Sequence, residues 1–108
     1  MTRLLLIGRG RMGQLVERLS PAHGCEIAGV VTSGSGPDAI ASADFGPVDV
    51  AIDFTQPGAV PANFRQLAKR RISVVIGTTG WQRDEASLRE IALREGIGVL
   101  AAANFSLG

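Results

Sequence analysis

Short apolar runs of strand length recur along the chain with helical patterns between them, and this alternation limits the possible folds more than any other feature. The runs cover residues 4–7, 27–31, 48–52, 74–76 and 99–103. Each is nearly continuous rather than alternating with polar residues, as expected for strands buried on both faces of a parallel sheet. Between the first two runs, Met12, Leu15, Val16 and Leu19 fall at i, i+3, i+4 and i+7, one apolar helix face that Ser20-Pro21 stops. Val60, Phe64, Leu67 and Ala68 repeat the pattern before the fourth run, with Pro57 suited to the first helical turn. Leu88, Ile91, Ala92 and Glu95 mark a helix before the fifth, with Asp84 and Glu85 favourably placed against its dipole. Residues 33–46, rich in Gly, Ser, Pro and Asp, predict a loop or one short turn.

Right-handed crossovers between such strands give a doubly wound parallel α/β sheet. At 108 residues the chain has room for one domain, spanning residues 1–108, and no repeat or linker divides it. The opening apolar run is too short for a signal-peptide core or a membrane span. Net charge is +1 with the basic residues dispersed, so neither nucleic acid nor a membrane surface is an expected partner. The single cysteine, Cys25, reads as a small buried hydrophobe and suits a reducing compartment, so a cytoplasmic location is expected.

Directly after the first strand, Gly8-Arg9-Gly10-Arg11-Met12-Gly13 matches G-x-G-x-x-G and leads into the first helix. In that setting Gly8 permits the tight turn, Gly10 lets backbone approach a pyrophosphate, and Gly13 lets helix pack on strand. The helix N-terminus then faces the negative charge. The chain is thus expected to be a Rossmann-like dinucleotide-binding domain. The acid expected about 20 residues on, at the end of the second strand, is missing. Val31 is followed there by Thr32 and Ser33, whose small hydroxyls leave room for a 2′-phosphate that Arg9 and Arg11 can reach. NADPH is favoured over NADH, with use of both open, and plain solvation is the competing reading for Arg9.

Ligands on open α/β sheets bind beyond the carboxyl ends of the strands. Three further turns lie on that edge: Asp53-Phe54-Thr55-Gln56-Pro57, Gly77-Thr78-Thr79-Gly80-Trp81, and Ala103-Asn104-Phe105-Ser106. With the G-R-M-G of the first turn, these D-F-T-x-P, G-T-T-G and A-x-N-F-S stretches closely resemble the N-terminal domain of dihydrodipicolinate reductases, across essentially the whole chain. The resemblance implies an NAD(P)H-dependent reductase of lysine and diaminopimelate biosynthesis, acting on a cyclic product of aspartate semialdehyde and pyruvate. It also implies pyrophosphate and ribose at Gly8, Arg9, Gly10, Arg11 and Met12, and Arg11 beside the adenosine phosphates. Phe54 and Thr55 would line the cofactor path, Gly77, Thr78 and Thr79 the nicotinamide ribose, and Ala103, Asn104, Phe105 and Ser106 the ring. For Asp53, hydrogen bonding within the turn is preferred to ligand contact.

The chain departs from the family in two ways. Its glycine turn is one residue shorter than the common form, and the family's catalytic stretch, with paired histidines and a lysine, would follow the last residue given. His23 and Lys69 match neither and read as a solvated loop residue and a helix-face charge. No catalytic or metal-binding residue is therefore assigned: cofactor binding without turnover is expected, and the parent protein is expected to be a homo-oligomer. The alternatives are the cofactor domain of another two-domain NADP-dependent dehydrogenase, or a stand-alone NAD(P)-binding or sensing module.

Overall fold

In the computed structural model the five apolar runs are five parallel strands. The structure describes residues 2–8, 10–32, 39–42, 44–78 and 80–101, with backbone alone at 11, 12, 42 and 82. The strands are β1 (Thr2–Ile7), β2 (Cys25–Val31), β3 (Val50–Asp53), β4 (Ser73–Ile76) and β5 (Val99–Ala101), in the order β2-β1-β3-β4-β5. They are joined by α1 (Arg11–Leu19), α2 (Ala39–Ser42), α3 (Val60–Lys69) and α4 (Glu85–Glu95). This is the expected doubly wound, Rossmann-like sheet. None of the helices, among the described residues, is long and apolar enough to cross a membrane.

The strand order explains which face carries the core. The step from β1 to β2 runs one way along the sheet and every later step the other way, so right-handed crossovers set α1 on one face and the remaining helices on the opposite one. α2 accordingly touches α3, and α3 touches α4. Leu5, Ile7, Ala51, Val74 and Ile76 meet Val60, Phe64, Leu67, Leu88, Ala92 and Trp81 in one buried cluster under these three helices. Alternate residues point to the face that holds α1. Leu4 and Leu6 are buried there, but Val50, Ile52 and Val75 are only half-buried and Leu100 is 62% exposed.

The expectation of strands buried on both faces is therefore corrected on the face that holds α1, where β3 and β4 are only half-buried, and at the two edge strands. Val31 is the one buried residue of β2, and β5 is largely exposed, because each is an edge strand with a neighbour on one side only. The apolar face expected for α1 is corrected as well: Leu15 and Leu19 are 41% and 45% exposed. Among the described residues no second α-helix lies beside α1 on its face of the sheet, so none of the described α-helices covers its flank.

Strand and helix ends move for local reasons. Arg3 clamps the segment before β3: its guanidinium donates to the Phe45 and Pro47 carbonyls and pairs with Glu26 at 2.9 Å, while its backbone N–H donates to Asp49 Oδ2. That clamp holds Val48, expected in the strand, outside it. Pairing of β1 with β2 jumps from Leu4↔Ile27 to Leu5↔Gly29, leaving Ala28 as a bulge. Beside the bulge Phe45 lies so close to Gly29 that a Cβ there would stand 2.4 Å from its ring, and Arg70 covers that ring at 5.3 Å. Pro57 opens a separate 3-10 turn, Pro57–Ala59, that runs into α3. Of residues 33–46, the described ones include the four-residue α2, docked on α3 by Gln66 accepting from the Ala41 N–H and by Arg70, just past the end of α3, donating to the Ile40 carbonyl.

Candidate functional site

Beyond the carboxyl ends of the strands the backbone continues to pair. The Gly8 N–H donates to the Val31 carbonyl (2.7 Å), Phe54 N–H to Ile7 (2.8 Å) and Gly77 N–H to Asp53 (2.8 Å). Three turns that are far apart in sequence are thus fixed along one edge, the place where an open α/β sheet presents a ligand crevice.

The three glycines of the first turn differ in what they do. Gly8 has φ +92°, and a Cβ there would lie 3.2 Å from the Phe54 carbonyl carbon and the Thr55 methyl, so both conformation and space favour glycine. A Cβ at Gly13 would lie 2.8 Å from the Gly8 carbonyl oxygen, which makes Gly13 the residue that lets α1 pack against the turn. Gly10 stands in ordinary extended backbone at the N-cap of α1, and a Cβ there would meet nothing within 4 Å. Neither packing nor conformation requires glycine at 10; what glycine leaves there is open space at a helix N-terminus. The first turn of α1 has no acidic residue, and Gly10 supplies no side-chain cap. The leading N–H groups of a helix have no intrahelical partners, so this end suits an anion.

Phe54 joins the turns. Cβ atoms at Gly77 and Gly13 would stand 2.8 Å and 3.9 Å from its ring, so the ring lies between the turn after β4 and the start of α1. Gly80, at φ +88°, packs on Pro57, so the turns after β4 and β3 also meet there. Asp53 is 1% exposed, and its carboxylate accepts hydrogen bonds from its own turn and from α3. Its Oδ1 accepts from the Thr55 N–H (2.8 Å) and the Thr55 hydroxyl, and its Oδ2 accepts from Asn63 Nδ2 (3.2 Å). This agrees with the turn-bonding reading of Asp53.

Of the residues singled out in the sequence, Gly8, Gly10, Gly13, Phe54, Thr55 and Gly77 come together at the edge. Thr32 and Thr78, both half-buried, directly follow the ends of β2 and Gly77. Arg11 and Met12 open α1. Arg9, Ser33, Thr79, Ala103, Asn104, Phe105 and Ser106 lie outside the described residues. His23 precedes β2 at the opposite, amino edge of the sheet, and Lys69 ends α3. Sequence reasoning passed over Asn63, which sits on α3 but hydrogen-bonds the turn after β3. The signal available was a single amide set between Val60 and Phe64 on the helix's buried side.

Comparison with known proteins agrees with this architecture. A solved biliverdin reductase from Synechocystis sp., in complex with biliverdin and NADP+, superposes with a TM-score of 0.73 over 99% of this chain and 39% of its own, at 14% identity. That likeness establishes the fold. The 4-hydroxy-tetrahydrodipicolinate reductase of Christiangramia forsetii is 40% identical over 97% of this chain and 43% of its own length. Those of Beutenbergia cavernae and an Exiguobacterium species are 39% and 34% identical, each over 97% of this chain and 42% of the relative. The chain thus spans less than half the length of these curated relatives. The family profile described as dihydrodipicolinate reductase, N-terminus, matches residues 2–105, and the chain belongs to that family.

Proposed function

We propose that this chain is the NAD(P)H-binding part of a reductase that acts on the cyclic dihydrodipicolinate precursor in lysine and diaminopimelate biosynthesis. The observation that carries the reading is the open space at Gly10, set between two glycines that packing does require and facing the N-terminus of α1. A turn that bound nothing would have no need of a third glycine there. The residues present fit a dinucleotide, since the edge offers a helix N-terminus, whose leading N–H groups lack intrahelical partners, for a pyrophosphate and no acidic side chain in the first turn to repel it.

In this reading Gly8, Arg9, Gly10, Arg11 and Met12 hold the pyrophosphate and adjoining ribose. Thr32, Ser33 and Arg11 face the adenosine 2′-position. Phe54 and Thr55 form the wall between the two halves of the cofactor, with Gly77, Thr78 and Thr79 at the nicotinamide ribose and Ala103, Asn104, Phe105 and Ser106 at the ring. The bound cofactor supplies the hydride. The chain's own part is to bind it, fix its orientation and exclude water from one side, and groups to hold and protonate substrate fall to the remainder of the family's length. Thr32 in place of an acid supports NADPH as the preferred form. The test is a fluorescence or calorimetric titration of the chain with NADPH and NADH: saturable binding of either is expected, tighter for NADPH, and binding of neither would refute the reading.

A further inference from the structure

Asn63 lies ten residues after Asp53 and outside all four strand-end motifs, in a helix whose Val60, Phe64 and Leu67 are anchored in the core. Its Nδ2 sits 3.2 Å from Asp53 Oδ2 and 3.2 Å from Thr55 Oγ1. Both neighbours are oxygens and one belongs to a carboxylate, so the amide must present its NH2 group to them. The Thr55 hydroxyl then donates to Asp53 Oδ1 while accepting from Asn63. Asp53, Thr55 and Asn63 form a closed triangle in which each polar atom named has a partner, and among the described residues no buried side-chain N or O lacks one.

The triangle does more than satisfy its own members. It fixes the residues on either side of Phe54, and the Phe54–Thr55 backbone is the wall that Gly8 approaches, with the Phe54 carbonyl carbon and the Thr55 N–H nitrogen 3.2 Å and 3.3 Å from where a Gly8 Cβ would be. The Phe54 N–H bond to Ile7 fixes the wall along the sheet, and the Phe54 ring packs between Gly77 and the start of α1. Asn63 therefore ties the position of the wall to a helix that the core holds still.

We propose that Asn63 is a positioning residue for dinucleotide binding, acting through Thr55 and Phe54 on the pyrophosphate and nicotinamide half of the cofactor and not on its adenosine half. The proposal rests on the dinucleotide reading given above. Because β3 lies on the far side of β1 from β2, the wall stands away from Thr32 and the adenosine end.

The test compares the parent chain, Asn63→Ala and Thr55→Val by titration with NADPH and, separately, with 2′,5′-ADP, which lacks the nicotinamide half. The expected result for Asn63→Ala is NADPH binding weaker by about tenfold, the loss typical of one buried hydrogen-bonding group, with 2′,5′-ADP binding within about twofold of the parent. Thr55→Val, which keeps the branched shape and removes the hydroxyl, should show the same split. Parent-like NADPH binding by a folded Asn63→Ala chain overturns the proposal, and so does an equal loss for both ligands, which would mark a general structural role. Should Asn63→Ala fail to fold, Thr55→Val decides alone, and parent-like binding of NADPH by it overturns the proposal. A parent chain that binds neither ligand refutes the dinucleotide reading itself, a result distinct from any difference among variants.

Discussion

Gly10→Val separates what the glycine turn needs for folding from what it needs for a ligand. A Cβ at 10 meets nothing within 4 Å, and the extended backbone there, φ −74° and ψ −166°, suits a β-branched residue. Two small effects on stability oppose each other. Replacing glycine restricts the unfolded chain and stabilises by about 0.4 to 1 kcal/mol. Losing glycine at an N-cap destabilises by a similar amount, roughly 0.5 to 1 kcal/mol. The net change should stay under about 1 kcal/mol, a shift of less than roughly 6 °C in Tm for a domain of this size. In binding nothing offsets the change, since the isopropyl group stands where the pyrophosphate must approach the helix N-terminus. NADPH affinity should fall by at least about a hundredfold, ~2.7 kcal/mol. Thermal unfolding followed by circular dichroism, with calorimetric titration on the same samples, reads both quantities. A variant that melts like the parent and binds NADPH like the parent would refute the assignment of the turn, and a variant that unfolds would refute the claim that the space at 10 is free.

Arg11→Ala should weaken NADPH more than NADH by on the order of 1.5 to 3 kcal/mol, and Thr32→Asp should shift preference toward NADH; equal losses for both cofactors in Arg11→Ala would rule out a contact to the 2′-phosphate. Gly29→Val should destabilise by about 1 to 3 kcal/mol, because Phe45 must leave a position held by Arg70 above and by Arg3 at its carbonyl. An unchanged Tm would show that the ring moves aside freely. The chain by itself should oxidise no NADPH in the presence of the dihydrodipicolinate precursor, since its one histidine and one lysine lie away from the strand ends. Substrate-dependent loss of NADPH absorbance would contradict this.

The parts of this molecule legible in its sequence are those decided by local chemistry. Gly8 and Gly13 could be assigned in advance because a tight turn into a helix sets steric demands that only glycine meets. The five strands were legible because short apolar runs between helical patterns leave few topologies. What the runs could not reveal was coverage. Leu15 and Leu19 have the spacing of a buried face, and whether a neighbour lies beside them depends on chain that local pattern does not describe. The start of β3 moved from Val48 to Val50 through Arg3, a residue 45 positions away from Val48 in a strand of its own. Asn63 was hidden for the same reason: its role comes from the crossing of α3 over β3, and an amide in a helix looks like any other until the carboxylate it reaches is known.

The thinly covered face that holds α1 has a thermodynamic signature. The large heat-capacity change of unfolding comes mostly from apolar surface that passes from dry to wet. Leu15, Leu19 and Leu100, and in part Val50, Ile52 and Val75, are already wet in the folded chain and contribute little to that change. The stability of this chain should therefore vary less with temperature than that of a domain of equal length with both sheet faces dry, giving a flatter and broader curve. Any molecule that later covers these side chains should bind with a negative change in heat capacity, the mark of apolar surface leaving water.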